Sequence, residues 1–238
     1  MQLFYNPDIT EETTTFNFDK TESRHIVKVL RKKEGDLLFI TNGKGFLFEV
    51  KIMVASDKKC LVSLVETHKK PKHWQYHLHI AIAPTKNNDR LEWFLEKATE
   101  IGIDEITPII CANSERTILK TERQEKIIQS ALKQSLKFVI PKLHKPIKFT
   151  DFIKQDFKED LYIAHCEETK KKSLAKELKP NQKVLIMIGP EGDFNPLEIE
   201  LALAKGFVPV SLGESRLRTE TAGVVAAQTV ALLNELAS

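Results

Sequence analysis

The chain lacks any apolar run approaching the roughly 18 residues a membrane helix needs. Its opening, MQLFYNPDI, turns polar too soon for a charged-then-apolar leader, so a cytoplasmic protein without membrane contact is expected. Cysteine is scarce: Cys60, Cys111 and Cys166 are odd in number, far apart and without CxxC spacing. That argues against a disulfide framework and a cysteine zinc site, and for reduced, structural thiols. The common nucleotide and nucleophile fingerprints are missing too. No GxxxxGK followed by Ser or Thr occurs, Gly43-Lys44-Gly45 has no third glycine and sits in a hairpin, and there is no GxSxG. His73, His77 and His79 lie close together, but on a linker and a strand without a carboxylate or cysteine partner. They read as strand-surface histidines, and no metal is expected.

What is present is the composition of a soluble globular protein. The chain has 238 residues, 42% hydrophobic and 29% charged, enough for one large or two modest domains with their own cores. The formal net charge is only +3, but residues 1–72 hold 13 Lys+Arg against 10 Asp+Glu, so the whole surplus lies there and the remainder is neutral. A basic first third beside a neutral remainder points to a polyanion-handling module attached to something else.

Within that first third, Leu3-Phe4-Tyr5 and the stretch Thr14 to Phe18 read as short strands. DKTESRHIVKVLRKKEGD then predicts a helix, with Asp19 and Glu22 at capping-box spacing and Gly35 as the stop. On it Ile26, Val27 and Leu30 can face a core, while Arg24, Lys28, Arg31 and Lys32 recur on another face and Lys33 extends the stripe. A solvated helix face explains such a stripe about as well as phosphate binding does. From Leu37 the pattern is all strand: LLFIT, a turn at Asn42 to Gly45, FLFEVKIMV, a turn at Ser56 to Lys59, then CLVSLVET. Residues 1–72 are therefore expected to form a small β-rich domain with one helix, closed by the polar linker His68 to Lys72.

Over residues 73–238 strand and helix alternate. HLHIAIA, EITPII, Leu161 to Ala164, Val184 to Ile188 and Phe207 to Leu212 read as strands. Helices are expected over Asp89 to Ile101, from about Glu122 to Phe138, near Ser173 to Leu178, over Pro196 to Lys205 and over Thr219 to Leu236. This is α/β patterning, a mostly parallel sheet with helices on both faces. Ligands in such sheets bind beyond the carboxyl ends of strands, and two strands here empty into Gly-bearing turns.

The first turn is Gly189-Pro190-Glu191-Gly192. Proline fixes one φ, and the two glycines permit positive φ or close backbone approach, giving a rigid turn of exposed amides beside a carboxylate. An ordinary strand-to-helix connection would need only one glycine. The second runs from Leu212 to Ala222 as LGESRLRTETA. Thr219 and Glu220 suit the start of a helix, but Arg216 and Arg218 oppose its dipole, so something else should want them there.

Taken together, HIVKVLR, the KATEIG helix, Ser114-Glu115-Arg116 in the following loop, IGPEGDF and SLGESRLRTETA resemble the RsmE family of 16S ribosomal RNA uracil-N3 methyltransferases, in the SPOUT superfamily. The likeness runs over essentially the whole length, with the motifs in family order. It implies a PUA-like β-barrel over 1–72 and an α/β methyltransferase domain over 73–238 whose end threads a trefoil knot, one of the rare exceptions to unknotted chains. It implies S-adenosyl-L-methionine as cofactor and a homodimer, with 16S ribosomal RNA, within the small subunit, as partner. Carried onto matching positions, the cofactor loops are Ile188, Gly189, Pro190, Glu191 and Gly192, then Leu212, Gly213, Leu217, Thr219, Glu220, Thr221 and Ala222. One departure stands out: where the family often has Glu-Gln-Ser-Gly-Arg, this chain has Lys133-Gln134-Ser135-Leu136-Lys137, so any role of that arginine falls to Lys137 or is absent.

On this basis Arg218 or Arg216 is expected to stabilise the uracil anion, with Glu191, Glu220 or a water accepting the proton. Arg24, Lys28, Arg31, Lys32 and Lys33, with Lys86, Arg90 and Arg116, are expected to hold phosphates. Two other readings stay open from sequence: a related methyltransferase acting on another RNA, and a catalytically silent RNA-binding assembly factor.

Overall fold

The computed structural model describes residues 1–167 and 171–237. They divide into two compact units, Met1–Lys72 with Leu132–Ile140, and His73–Ala131 with Pro141–Ser238.

In the first unit, β1 (Leu3–Tyr5), β2 (Thr15–Asn17), β3 (Leu37–Thr41), β4 (Phe46–Val54) and β5 (Leu61–Lys69) form one sheet in the order β1-β3-β4-β5-β2. β3, β4 and β5 pair antiparallel, as the Asn-Gly and Asp-Lys turns predict, and β1 adds parallel to β3. The alternating apolar residues of β3 and β4, among them Leu38, Ile40, Phe48, Val50 and Ile52, bury with Phe4, Ile26 and Val62 into one core. The stretch Leu132–Ile140 adds to this unit: Lys44 bridges Val139, and Phe138 O accepts from Gly45 N at 2.8 Å.

The expected single helix is shorter and less regular than its apolar spacing suggests. α1 (Lys20–Arg24) passes into a π-helical turn over His25–Val29. The helix has ended by Arg31, which takes the left-handed φ of +55°, four residues before Gly35. Asp19 Oδ1 does cap the helix, accepting from Glu22 N at 2.8 Å. The Glu22 carboxylate, however, turns to Lys133 Nζ, 3.3 Å away. Because a π turn adds a residue and the helix then ends, Arg24, Lys28, Arg31, Lys32 and Lys33 do not share one helical face.

The second unit holds β6 (His77–Ile82), α2 (Asn88–Ile101), β7 (Glu105–Ile110), α3 (Thr121–Gln134), β8 (Lys142–Leu143), β9 (Ile147–Lys148), α4 (Phe149–Phe152), β10 (Asp160–Ala164), β11 (Lys172–Ser173), α5 (Leu174–Glu177), β12 (Lys183–Ile188), α6 (Pro196–Ala204), β13 (Val208–Ser211) and α7 (Thr219–Leu236). The strands order as β11-β13-β10-β12-β6-β7-β8, with β9 on β7, and every pairing is parallel. α3 ends at Gln134 rather than Phe138, since Leu136 turns left-handed at φ +54°.

Central strands buried on both sides split their residues by period two. Ala81, Leu185 and Met187 pack with Phe149, Phe152, Ile199 and Ala202 of α4 and α6. Ile82, on the other face, meets Phe94 of α2 and Gly223 of α7. The expected helices on both faces are therefore present. α6 starts on a complete capping box, Asn195 with Glu198, and Pro196 at its first position.

Candidate functional site

β10, β12 and β13 run parallel as neighbours, so their carboxyl ends open on one edge of the sheet. Two cavities lie there. One of about 470 Å³ is lined by the end of β10, from Ala164 to Glu167, and by the loop after β13, from Ser211 to Leu217. The other, of about 320 Å³, is lined by Ile188, Gly189, Pro190, Glu191 and Asp193 after β12, and by Arg216 to Thr219. Ala164, Cys166, Arg216, Leu217 and Ala222 line both. Each volume is in the ~300–1,000 Å³ range of small-molecule sites.

The turn after β12 is rigid for a reason only partly visible in its sequence. Its glycines serve close approach rather than positive φ. A Cβ on Gly189 would stand 3.0 Å from the Phe194 ring, and one on Gly192 would stand 3.1 Å from Asn113 Cβ. The left-handed position falls instead on Asp193, φ +63°. Neighbouring loops brace the turn. Asn113 Nδ2 donates to the carbonyls of Gly192 and Asp193, 3.1 Å each, and Lys86 N donates to Glu191 Oε1 at 2.9 Å. The other Glu191 oxygen, Oε2, is buried with no hydrogen-bond partner among the described residues.

The second turn delivers its cations to the same place. Gly213, at φ +144°, turns the chain after β13, with Ser211 Oγ donating to its carbonyl at 2.7 Å. Arg216 and Arg218 stand exposed at the cavities, and Arg218 holds the N-cap position of α7 without a capping side chain. Thr219 is buried, and its Oγ1 donates to Gly189 O at 3.0 Å.

Of the residues singled out from sequence, Ile188, Gly189, Pro190, Glu191, Leu212, Gly213, Arg216, Leu217, Arg218, Thr219 and Ala222 line one cavity or both. Gly192 supports the turn from behind, and Thr221 lines neither cavity. Glu220 is buried and also lines neither. Its Oε1 lies 3.8 Å from Arg90 Nε, which gives Arg90 a partner within the protein. Arg116 likewise turns inward, Nη2 donating to Lys86 O at 2.6 Å and Nε to Thr85 O at 3.1 Å. Lys86 is exposed and pairs with Glu115 at 2.7 Å. In the first unit Arg24, Lys28, Arg31 and Lys33 are exposed, Lys28 lying 3.7 Å from Asp57. Lys137 is partly buried, and that burial pushes its ammonium below the ordinary lysine range.

Sequence reading missed the end of β10. His165 is buried there, with both ring nitrogens lacking a hydrogen-bond partner among the described residues. Its burial pushes the imidazole down, and the Lys171 charge adds to this. Cys166, expected to be a structural thiol, is exposed and lines both cavities, whereas Cys60 and Cys111 are buried. The available signal was position: a third parallel strand ending beside the two Gly-bearing turns. A second correction concerns the histidines. His77 does have a carboxylate partner, since Glu105 Oε1 lies 3.1 Å from its Nε2 while Glu105 Oε2 accepts from His144 Nε2. Glu105 is distant in sequence and arrives through the β6–β7 pairing.

Comparison with known proteins places this geometry. The family model for an RNA methyltransferase domain matches residues 72–231, and that for an RNA methyltransferase PUA domain matches residues 18–65. The ribosomal RNA small subunit methyltransferase E of Rickettsia conorii is 34% identical over 88% of this chain and 86% of that protein. The crystal structure of a probable rRNA-methyltransferase from Porphyromonas gingivalis is 44% identical, with a TM-score of 0.93 over 100% of both chains. That of a ribosomal RNA small subunit methyltransferase E from Neisseria gonorrhoeae, bound to S-adenosyl methionine, is 25% identical, with a TM-score of 0.85 over 98% of each chain.

Proposed function

The chain belongs to the RNA methyltransferase family that includes ribosomal RNA small subunit methyltransferase E, and we propose that it transfers the methyl group of S-adenosyl-L-methionine to N3 of a specific uridine in 16S ribosomal RNA. The observation that carries this reading is the convergence of Arg216, Arg218 and Glu191 on one cavity of about 320 Å³ at the strand ends of such a domain.

The residues present fit the cofactor. Ile188, Leu217 and Ala222 offer apolar walls, the two turns offer backbone amides and carbonyls, and the buried, unpartnered Glu191 Oε2 suits a ligand bearing positive charge. Ile188 to Glu191, with Leu212, Gly213, Leu217, Thr219 and Ala222, which line the cavities, hold the cofactor, and Gly192, Glu220 and Thr221 shape the two turns from outside the lining. Bound there, S-adenosyl-L-methionine supplies an electrophilic methyl on a sulfonium.

The chain's own work is to place and activate the nucleophile. Uridine N3 carries a proton and attacks only after losing it. Arg218 or Arg216 stabilises the developing imide anion through O2 or O4, while Glu191 or a water takes the proton; Glu220, the third expected acceptor, is buried beside Arg90 and lines neither cavity. A carboxylate with an ordinary pKa near 4 is a feeble base, so the cation contributes more. The uridine must be single-stranded or flipped out, because N3 is occupied inside a base pair.

The same proposal has the basic residues of the first unit, with Lys86, holding phosphates in a cytoplasmic enzyme that acts on the small subunit as a homodimer. Arg90 and Arg116, both engaged inside the protein, contribute less to that grip than their charge suggests. Any role of the family arginine falls to Lys137 or is absent. A trefoil knot in the segment that forms both turns is part of the reading.

The test is Arg218→Ala: turnover is expected to fall on the order of 100-fold with cofactor and RNA affinity kept. Unchanged turnover would remove Arg218 from the chemistry.

A further inference from the structure

The ladder between β10 and β12 ends at Ala164 and Ile188, and beyond it the two chains part to form the cavities. Asp193 is tied across that gap. Its Oδ2 accepts from Cys166 N at 2.7 Å and its Oδ1 accepts from its neighbour Phe194 N at 2.9 Å. Its own N–H donates to Pro190 O at 2.9 Å, and its carbonyl accepts from Asn113 Nδ2 at 3.1 Å. All four polar groups of the residue are therefore engaged, although its φ of +63° is one that glycine adopts at less cost. A local bond to the next residue, together with the tolerance of aspartate for the left-handed region, accounts for Oδ1 and the backbone. It does not explain Oδ2, which reaches a residue 27 positions away, just past the end of β10.

Cys166 lines both cavities and Asp193 lines the smaller one. We infer that Asp193 is a positioning residue for the cofactor: by holding the Cys166 amide to the turn after β12, it sets the width of the cleft that S-adenosyl-L-methionine enters. A charged acceptor in a partly buried place makes a stronger tie than a neutral one, so the cleft is preset before the ligand arrives. The inference rests on these cavities being the cofactor site.

Two variants separate positioning from mere support of the fold. Asp193→Gly removes both acceptors and relieves the left-handed backbone. Asp193→Asn keeps one acceptor oxygen but sets an NH2 against an N–H. S-adenosyl-L-methionine affinity, by calorimetry, is expected to fall about tenfold in Asp193→Gly, the loss of one charge-assisted hydrogen bond. The fall should be smaller in Asp193→Asn, with the thermal midpoint of the ligand-free protein held in Asp193→Gly and kcat at saturating cofactor nearly unchanged. Affinity equal to wild type in both variants overturns the inference, as does an affinity loss matched by a drop in ligand-free stability. If the wild-type chain binds no S-adenosyl-L-methionine, the functional reading itself fails, and that control tells the two failures apart.

Discussion

The hydroxyl of Thr219 donates to the carbonyl oxygen of Gly189 at 3.0 Å, joining the first residue of α7 to the first residue of the turn after β12. Thr219 is buried, so water does not replace the bond if it is lost. Thr219→Val keeps the shape and orphans the carbonyl. It is expected to lower stability by about 1–3 kcal/mol and to weaken S-adenosyl-L-methionine binding, while Thr219→Ser keeps both nearer wild type. Urea denaturation and calorimetry read the two effects, and an unchanged affinity in Thr219→Val would show that the two turns are set independently.

Gly223 is where α7 meets α2. A Cβ there would lie 2.6 Å from two atoms of the Phe94 ring and 3.0 Å from Ile82 Cδ1, and Phe94 is fully buried. On helix propensity alone Gly223→Ala should stabilise α7 by about 1 kcal/mol. Overpacking of a rigid ring at this distance costs about 1–3 kcal/mol, so the net outcome is expected to be destabilising. A higher denaturation midpoint in Gly223→Ala would contradict the close approach of the two helices.

Stability should depend on pH through His79. Burial pushes its imidazole down to about 4, against partial opposition from Glu105, and its Nε2 lies 2.7 Å from Thr107 Oγ1. The unfolded chain, with an ordinary histidine pKa near 6.5, binds a proton between that pH and 4 while the folded chain does not. The His79 contribution is thus fully present above pH 6.5 and is lost as pH falls toward 4, by about 3 kcal/mol at most. Burial alone would raise the Glu105 carboxyl, but its hydrogen bond from His144 and the charges of His79, His144 and His77 outweigh that and hold it below the usual range, so its contribution is lost at more acidic pH. Thermal midpoints across pH 7 to 4 should fall less steeply in His79→Gln than in wild type; parallel curves would contradict the assignment.

Much of the fold was legible because it rests on local pattern. The period-two alternation of Leu37 to Thr41 and Phe46 to Val54, the Asn42-Gly43 turn, the Asn195 cap with Pro196, and Gly102 after α2 each fix an element within a few residues of where it lies. The turns after β12 and β13 were legible for the same reason, since glycine and proline mark them directly. What was not legible depends on residues brought together from afar. Glu105 reaches His77 and His144 only through strand pairing, and Cys166 reaches Asp193 only because β10 lies beside β12. The inward turn of Arg116 is invisible to charge counting. The π turn at His25–Val29 was illegible in another way: apolar spacing there fits an α-helix, and Ile26 is buried in the core in either form of helix.

The central claim is tested most directly by incubating the protein with labelled S-adenosyl-L-methionine and small ribosomal subunits from cells lacking this gene, then identifying the modified nucleoside by mass spectrometry. The account predicts label in 16S ribosomal RNA as 3-methyluridine. Label in a different nucleoside, or none while the cofactor still binds, would contradict it.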